Sequence, residues 1–516
     1  MTSDSDGDDT GRTADGTATD RPTYGRRATD RLPDRRAGAR RTTGTARMTE
    51  GTAEPAAGGP TAGERAADRP AAIEVHADAA PLAFDGDLDG IVAAGRLGGL
   101  SPEALAEAFG TPFYVYDLDL IERRVAALRS ILPQGFRLAY AVKANPALAV
   151  VAHLRRLGVG ADVASGGELA TVLRAGFEPD AIAMTGPGKR EAELQAAVEA
   201  GIGVITVESV GELRRLETIA AAAGAGVGQR PRQRILLRLA VSEDARLEAV
   251  RLIGGVEGKF GMPLTTVREA AALAAASRHV ELLGLHAFGA SNLRDAAQLA
   301  SHVAQLVDAA REVMAVVDLP LRLVDAGGGL GITYADGEEP LDLDLLGERL
   351  GSLRGRWDAD PVLEQLEVIL EPGRFLVGPA GAYVARVVDV KGPDSAPVVI
   401  LDGGINHVLR PALVRTEHRL ALLASDSIRA LVPVTVAGPL CTGVDVFAVG
   451  TCLPRPRVGD LVAVLDAGAY GFTESMPWFL SHPTPAEVAI RHGDARLIRP
   501  HIDPQEMLDR QLDPSW

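Results

Sequence analysis

The amino-acid sequence predicts a (β/α)8 barrel followed by a compact all-β domain, and two observations indicate this fold class. Between about residues 100 and 395, short apolar runs alternate with Ala-, Leu-, Arg- and Glu-rich stretches of helical spacing, in about eight units. From about residue 396 the runs are β-rich and are separated by Gly, Pro and Asp. An open doubly wound sheet is the alternative for the first region, because it has the same alternation.

The same changes of pattern divide the chain into segments. The first 72 residues carry few large apolar side chains, so they cannot bury enough surface to offset the entropy of ordering. The run PFYVYDLD, near 112–119, is expected to lead from the β domain into the barrel. The expected segments are a disordered tail (1–72), a part that joins the β domain (73–112), the barrel (113–395), a β-barrel or sandwich domain (396–500) and a C-terminal tail (501–516).

Composition excludes some classes of function. The formal net charge of −16 argues against a nucleic-acid-binding surface as the main activity. The two cysteines, Cys441 and Cys452, do not make a disulfide framework and fit a reducing compartment. The sequence shows neither a secretory signal pattern nor an apolar stretch of about 18 residues, so we expect a soluble, cytoplasmic protein without a metal, membrane or nucleic-acid partner.

Three motifs at the ends of apolar runs carry groups that are suited to chemistry or to ligand binding. Lys143 ends a run and precedes an Asn-Pro break (AYAVKANP); it is either a solvated strand end or an amine held for carbonyl chemistry. DAGGGLGI contains three glycines (327–329) that let backbone N–H groups approach a phosphate, although glycine runs are also plain turns. EPGR offers Glu371 and Arg374. An amine, an anion cradle and a carboxylate together suit pyridoxal 5′-phosphate.

With these and seven further motifs, the chain resembles the fold-type III pyridoxal-phosphate decarboxylases, the family of diaminopimelate, ornithine and arginine decarboxylases. That family implies an alanine racemase-like TIM barrel plus a C-terminal all-β domain. The resemblance covers about residues 110 to 490. The motifs occur in family order: YAVKANP, DVASGGEL, GPGK, KFGM, GLHAFGASN, DAGGGLGI, EPGR, LDGGINHVLRPAL, GPLCTGVD and GAYG.

The resemblance implies a role for each matching residue. Lys143 is expected to carry the cofactor, Glu371 to face the pyridine nitrogen, and Cys441 to act as the acid that protonates the substrate carbon after carbon dioxide leaves. The family supplies this cysteine from the partner subunit of a homodimer with shared active sites. The other cofactor-binding positions are Asp162, Phe288, Ser291, Gly327, Gly328, Gly329, Gly373, Arg374 and Tyr470, and the substrate-binding positions are Arg410, Thr442 and Arg374.

Two positions depart from the family pattern. Most members stack a histidine on the cofactor ring, whereas this chain has Phe288, which can stack but cannot carry charge. The basic-amino-acid decarboxylases carry Asp or Glu directly after the cysteine, whereas Thr442 is neutral. Burying a substrate ammonium beside it without a counter-charge is costly. We therefore expect the far end of the substrate to be an amide, a thioester or a bulky conjugate.

A subgroup of the family is similar in these features. It includes a decarboxylase of butirosin biosynthesis that acts on glutamate tethered to an acyl-carrier protein, and decarboxylases found beside exosortase systems. The resemblance implies decarboxylation of a conjugated or carrier-tethered amino acid in specialised biosynthesis. Three alternatives stay open: a meso-diaminopimelate decarboxylase of lysine biosynthesis, against which Thr442 and Val414 argue; an alanine-racemase-type enzyme; and a regulator that binds the cofactor without turnover.

Overall fold

The computed structural model describes residues 74–76, 90–93, 95–240, 258–415, 417–424 and 429–514, which all belong to one compact unit, Pro70–Trp516. The tail predicted over 1–72 lies outside the described residues. The strands of the described ranges are β1 (Glu74–His76), β2 (Val92–Ala93), β3 (Arg96–Leu97), β4 (Phe113–Asp117), β5 (Phe136–Ala141), β6 (Gly160–Val163), β7 (Ile182–Met184), β8 (Val204–Val207), β9 (Gln233–Arg238), β10 (Val280–His286), β11 (Leu323–Asp325), β12 (Glu367–Leu370), β13 (Gly381–Lys391), β14 (Val398–Leu401), β15 (Leu420–Leu422), β16 (Leu431–Ala437), β17 (Val446–Pro454), β18 (Leu461–Val464), β19 (Ala486–Arg491) and β20 (Asp494–Arg499).

The helices lie mostly between the strands of the first region. The α-helices of the described ranges are α1 (Pro102–Phe109), α2 (Leu118–Ile131), α3 (Leu148–Arg156), α4 (Gly166–Arg174), α5 (Glu191–Ala200), α6 (Val210–Ala222), α7 (Leu264–Ala275), α8 (Ala296–Val317), α9 (Leu343–Asp358), α10 (Arg374–Val377), α11 (Arg410–Val414) and α12 (Pro504–Leu508). We find among these described helices none that combines the length and the apolar character needed to cross a membrane.

Strands β5 to β12 form a closed parallel barrel in chain order, and β12 pairs with β5 to close it. The strands read as near-continuous apolar runs because helices cover the barrel outside while the interior is filled by side chains. The predicted (β/α)8 barrel is confirmed, and the open doubly wound alternative is wrong, since an open sheet has two edge strands whereas each of these eight strands pairs with two neighbours.

Side-chain caps fix the turns at the carboxyl ends of two barrel strands. Ser165 accepts a hydrogen bond from the N–H of Glu168 at 3.2 Å, and the Glu168 carboxylate accepts one from the N–H of Ala164 at 2.7 Å. Ser209 and Glu212 repeat the arrangement after β8, at 3.0 Å. Because the caps satisfy the first N–H groups of α4 and α6, the helices begin directly after the strands. The loops that follow β6 and β8 are short for this reason.

The second part is a ten-stranded sheet of order β1-β20-β19-β4-β13-β14-β16-β17, with β18 pairing β13 and β15. The sheet confirms the predicted all-β domain. It takes strands from both sides of the barrel, because β4 precedes the barrel and pairs with β13 and β19. The barrel is therefore an insertion between β4 and β13.

This arrangement corrects the predicted boundaries of the barrel, 113–395. Phe113–Asp117 and Gly381–Lys391 are strands of the sheet, and the barrel strands run from Phe136 to Leu370. All five residues of β4 are buried, so its apolar pattern is indistinguishable from that of a barrel strand. The predicted tail at 501–516 is also corrected in part, because α12 forms there and His501 bonds Phe109 O at 3.0 Å.

Candidate active site

A pocket of about 510 Å³ opens at the carboxyl ends of the barrel strands, beside the β domain. Barrel enzymes hold their reacting groups at this end. Its lining brings together side chains from six barrel strands or their loops and from the β domain. The described residues that line it are Lys143, Ala164, Thr185, Gly186, Pro187, Arg238, Leu239, Ala240, Phe260, His286, Phe288, Gly289, Ser291, Glu371, Arg374, Arg410, Leu413, Val414, Tyr470 and Glu474.

Lys143 lies in a single 3-10 turn that ends β5, and its side chain is 42% exposed, toward the pocket. The Asn-Pro break has a structural cause. Asn145 donates to Gly468 O at 3.0 Å, and its Oδ1 accepts from Ala147 N at 3.0 Å. Tyr470 N donates to Ala144 O at 2.8 Å. The turn that holds the lysine is thus fixed to a loop of the β domain.

Two buried carboxyl groups, those of Asp162 and Glu371, act on the charge of the Lys143 amine. Asp162 Oδ2 lies 3.8 Å from Lys143 Nζ. Burial lowers the pKa of Lys143, but the charges of Asp162, Tyr470 and Glu371 outweigh burial and raise the pKa above its ordinary value. Burial and the Glu371 carboxylate raise the pKa of Asp162 to about 7, although Lys143 opposes them. Burial also raises the pKa of Glu371.

The raised pKa of Asp162 predicts a pH-dependent stability of the cofactor-free protein. A carboxyl whose folded pKa exceeds its unfolded value of 3.8 stabilises the fold fully below pH 4. This contribution to the free energy of unfolding, at most about 4 kcal/mol, is lost as the pH rises through 7. We expect Asp162→Asn to remove this loss, so that its Tm relative to wild type is higher at pH 8 than at pH 4.

Thermal unfolding of the cofactor-free variant and wild type between pH 4 and pH 8 measures this effect. Asp336→Asn, at an exposed loop position, is the matched control and should run parallel to wild type. If the Tm of Asp162→Asn also ran parallel to that of wild type between pH 4 and pH 8, the raised pKa of Asp162 would be contradicted.

Glu371 fits the role that the family gives it. Its carboxyl is buried, its Oε1 has no hydrogen-bond partner among the described residues, and it lines the pocket. His286 Nε2 lies 3.7 Å from the other oxygen, and burial followed by the charge of Arg238 lowers the pKa of His286, so the imidazole is neutral. A buried carboxylate that lines the cleft and has an oxygen without a described protein partner suits the N–H of a pyridinium ring.

The region above Glu371 fits an anion. Arg374 is 5% exposed, and its guanidinium donates to Tyr334 OH at 2.5 Å and to Ser291 Oγ at 3.1 Å. Gly328 and Gly329 are required by close backbone approach, since a Cβ on them would lie 2.5 Å from Glu371 O and 2.4 Å from Ala290 O. A small cleft joins the predicted cradle residues Ser291, Gly328, Gly329, Gly373, Arg374 and Tyr470 to Lys143. Gly327, which does not line the cleft, turns the loop with φ +65°.

Phe288 lies on the pocket wall, with its ring centroid 5.8 Å from Lys143 Nζ. The structure therefore places the phenyl ring of Phe288 beside the amine. Tyr470 lies opposite, between two guanidiniums: Arg374 at 4.6 Å and Arg410 at 5.1 Å from its ring centroid. Arg410 forms an ion pair with Glu474 at 3.2 Å.

Two predicted site residues lie elsewhere in the single chain. Cys441 is exposed on the loop between β16 and β17, and neither it nor Thr442 is among the described residues that line the pocket. The loop is held by the buried Asp445, whose carboxylate accepts from Leu440 N at 2.7 Å and from Ile405 N at 2.8 Å. The thiol is thus presented outward on a rigid turn.

Sequence reasoning assigned no role to several residues of the pocket, among them Arg238, Phe260 and Glu474. Arg238 ends β9 and bonds Glu208 at 2.7 Å, and its guanidinium stacks on Phe260 at 4.8 Å. Its place at the carboxyl end of an apolar run was a usable signal. Phe260 belongs to a recognised motif, KFGM, to which no contact was attributed. Glu474 lies four residues after Tyr470, just past the GAYG motif, and no role was attributed to it.

Comparisons with known proteins agree with this geometry. Residues 118–378 match the family described as pyridoxal-dependent decarboxylase, pyridoxal binding domain. The chain is 32% identical to the L-glutamyl-[BtrI acyl-carrier protein] decarboxylase of Niallia circulans over 79% of this chain and 95% of that protein. It is also 32% identical to the diaminopimelate decarboxylase of Aquifex aeolicus, over 80% and 95%.

Solved structures show the same similarity. The crystal structure of diaminopimelate decarboxylase from M. jannaschii matches with a TM-score of 0.76 and 26% identity, over 83% of this chain and 99% of that one. Both the sequence match and the site residues therefore lead to one conclusion: the chain belongs to the family of pyridoxal-phosphate-dependent amino-acid decarboxylases, with pyridoxal 5′-phosphate as its cofactor.

Proposed function

We propose that this enzyme decarboxylates an amino acid whose far end is conjugated, on a small molecule or on a carrier protein, in specialised biosynthesis. One observation carries the proposal. Of the described residues that line the pocket, only Glu371 and Glu474 are carboxylates; Glu371 is assigned to the cofactor, and Glu474 already forms an ion pair with Arg410 at 3.2 Å. The described lining therefore holds no unpaired carboxylate for the free ammonium of a lysine-like or ornithine-like substrate, and burying that ammonium there is costly.

The rest of the pocket supports the same substrate class. Its outer wall is apolar, with Leu239, Phe260, Leu413 and Val414. These four side chains accommodate methylene groups and part of a conjugate, and they offer no charge to a distal ammonium. The two curated relatives described above are equally identical to this chain, so their names support neither substrate over the other.

The residues take the following proposed roles. Lys143 holds the cofactor covalently, Arg374 and the glycine loop bind its phosphate, and Glu371 keeps its ring nitrogen protonated. The bound cofactor supplies an electron-withdrawing ring that stabilises the negative charge left on the α-carbon as carbon dioxide departs. The side chains that line the pocket exclude water from the substrate α-carbon. Phe288 packs on one face of the site.

Proton delivery is proposed to come from a second copy of the chain. Cys441 is exposed and lies outside the pocket lining of its own chain, so a homodimer with shared sites would bring one thiol to each pocket. Both cysteines are free, which fits our proposal of a reducing, cytoplasmic location.

Diaminopimelate decarboxylation is the second candidate, and Arg410 is the observation that favours it. Its guanidinium lines the pocket and is able to bind the distal carboxylate of meso-diaminopimelate. Release of carbon dioxide by the purified holoenzyme distinguishes the candidates, with meso-diaminopimelate, ornithine, arginine and glutamate as free substrates and γ-glutamyl thioesters and carrier-bound forms as conjugates. Turnover of free meso-diaminopimelate at the highest kcat/KM would overturn the proposed substrate class.

Thr442 follows Cys441 on the loop that is proposed to reach the pocket of a second copy, and it gives a prediction about specificity there. We expect Thr442→Glu to raise kcat/KM for a diamino acid by about 10–100-fold, because a charged hydrogen bond to the distal ammonium contributes about 1.5–3 kcal/mol. Thr442→Gln is the matched control of similar size without charge. Equal rates for the Glu and Gln variants would show that other residues shape this part of the substrate pocket.

A further inference from the structure

Glu474 is a pocket carboxylate to which the reaction itself gives no task. It ends the 3-10 turn Phe472–Glu474, and its side chain is 32% exposed at the pocket wall. Ser475, the next residue, accepts from Leu409 N at 3.0 Å and donates to His407 O at 2.9 Å. These bonds fix the turn against the segment that leads into Arg410.

The carboxylate and the guanidinium of Arg410 form an ion pair that leaves hydrogen-bonding capacity for a ligand. One N–O contact joins them, Nη1 to Oε2 at 3.2 Å. Arg410 Nε is buried without a hydrogen-bond partner among the described residues, and the guanidinium packs on Tyr470. A guanidinium has five N–H donors, and a carboxylate has two accepting oxygens. The pair therefore presents donors and acceptors side by side.

We infer that Arg410 and Glu474 together bind the far end of the substrate, and that this end carries both an accepting oxygen and an N–H donor. A conjugating amide has this combination, and so does the zwitterionic far end of a free diamino diacid. The inference rests on the proposed decarboxylation in this pocket. It deepens that proposal by naming the chemistry of the distal group.

Other distal groups fit the pair less well. A thioester or ester offers an accepting carbonyl to Arg410 but no N–H, so it would partly desolvate Glu474 without a new hydrogen bond. A bare ammonium would bind Glu474 but would also lie beside the positive charge of Arg410. The geometry thus selects amide over thioester among the conjugates.

A pair of substrates that differ by one N–H tests this selection on the holoenzyme. N5-methylglutamine has a distal amide, and the γ-methyl ester of glutamate has the same size without the N–H. We expect wild type to favour the amide by about 10–100-fold in kcat/KM, mainly through KM. Glu474→Gln should reduce the ratio to a few-fold, while Glu474→Asp, which keeps the charge, should retain most of it.

Controls separate this effect from a structural one. Glu312→Gln removes a surface partner of Arg268 and should leave the ratio unchanged. The cofactor Kd of Glu474→Gln should equal that of wild type. Binding of both analogues is also followed through the cofactor absorbance, so slow turnover does not hide a preference. The inference would be overturned if wild type turned over and bound the amide and the ester equally well. It would also be overturned if Glu474→Gln lowered kcat/KM for both substrates by the same factor.

Failure of the inference and failure of the proposed function give different results. Turnover of conjugates without amide selectivity contradicts the inference alone. A preference for meso-diaminopimelate that depends on Glu474 contradicts the conjugate but supports the paired distal group. If the holoenzyme shows neither turnover of conjugates nor selective binding of the amide, both the inference and the proposed function are contradicted.

Discussion

Replacement of Lys143 by alanine is expected to abolish decarboxylation and the visible absorbance of the bound cofactor together. The amine is the one lysine among the described pocket residues, and it faces the cleft that joins Arg374 and the glycine loop. Without it the cofactor has no covalent attachment, so we expect turnover to fall by at least on the order of 10³-fold. Spectra and rates of purified protein measure both effects.

Lys391→Ala is the matched control, because this lysine lies at the end of β13 and pairs with Asp389 on the surface. It should keep the spectrum and the rate of wild type. An active, cofactor-coloured Lys143→Ala protein would show that another amine holds the cofactor. Loss of colour with full biological activity would instead support the regulator that the sequence left open.

Replacement of Cys441 by alanine is expected to leave the cofactor bound but to slow product formation by about 10²–10⁴-fold, the usual contribution of a general acid. The thiol is exposed, and Asp445 holds its loop in place, so the substitution should not disturb the fold. Without the proper acid, part of the reaction should be diverted to transamination. Product analysis and the cofactor spectrum distinguish slow protonation from cofactor loss.

The chain offers a matched control for this experiment. Cys452 is the other free and exposed thiol, on β17, and Cys452→Ala should behave as wild type. Mixing Cys441→Ala with Lys143→Ala tests whether the site is shared between copies. If it is shared, mixed dimers contain one intact site and regain activity that neither variant has alone. A normal rate and product for Cys441→Ala would exclude the proposed acid.

The arrangement of the site was predictable where chemistry coincides with the carboxyl ends of barrel strands. Lys143 and Glu371 each follow such a strand within two residues, and parallel strands of a closed barrel deliver their ends to one opening. The expected family roles stay predictions, but the proximity of these groups follows from the topology. The order of the apolar runs along the sequence was sufficient to predict this proximity.

Other features depend on contacts that sequence periodicity does not encode. Glu474, at the end of a 3-10 turn, meets Arg410, at the start of α11, across 64 residues, and such short turns carry no repeating pattern. The run that contains β4 was expected to lead from the β domain into the barrel, but the predicted boundary at residue 113 assigned it to the barrel, because complete burial removes the alternation that would have marked a sheet strand. The position of Cys441 outside its own pocket was available only from the family resemblance.

The tie between Asn145 and Gly468 has a consequence for how the enzyme matures in the cell. The two residues are 323 positions apart, and Gly468 belongs to the loop that also supplies Tyr470. During synthesis the barrel leaves the ribosome well before this loop exists, so the lysine turn is locked only near the end of translation. Cofactor capture should therefore follow chain completion, and nascent chains that lack β18 and the next loop should remain colourless.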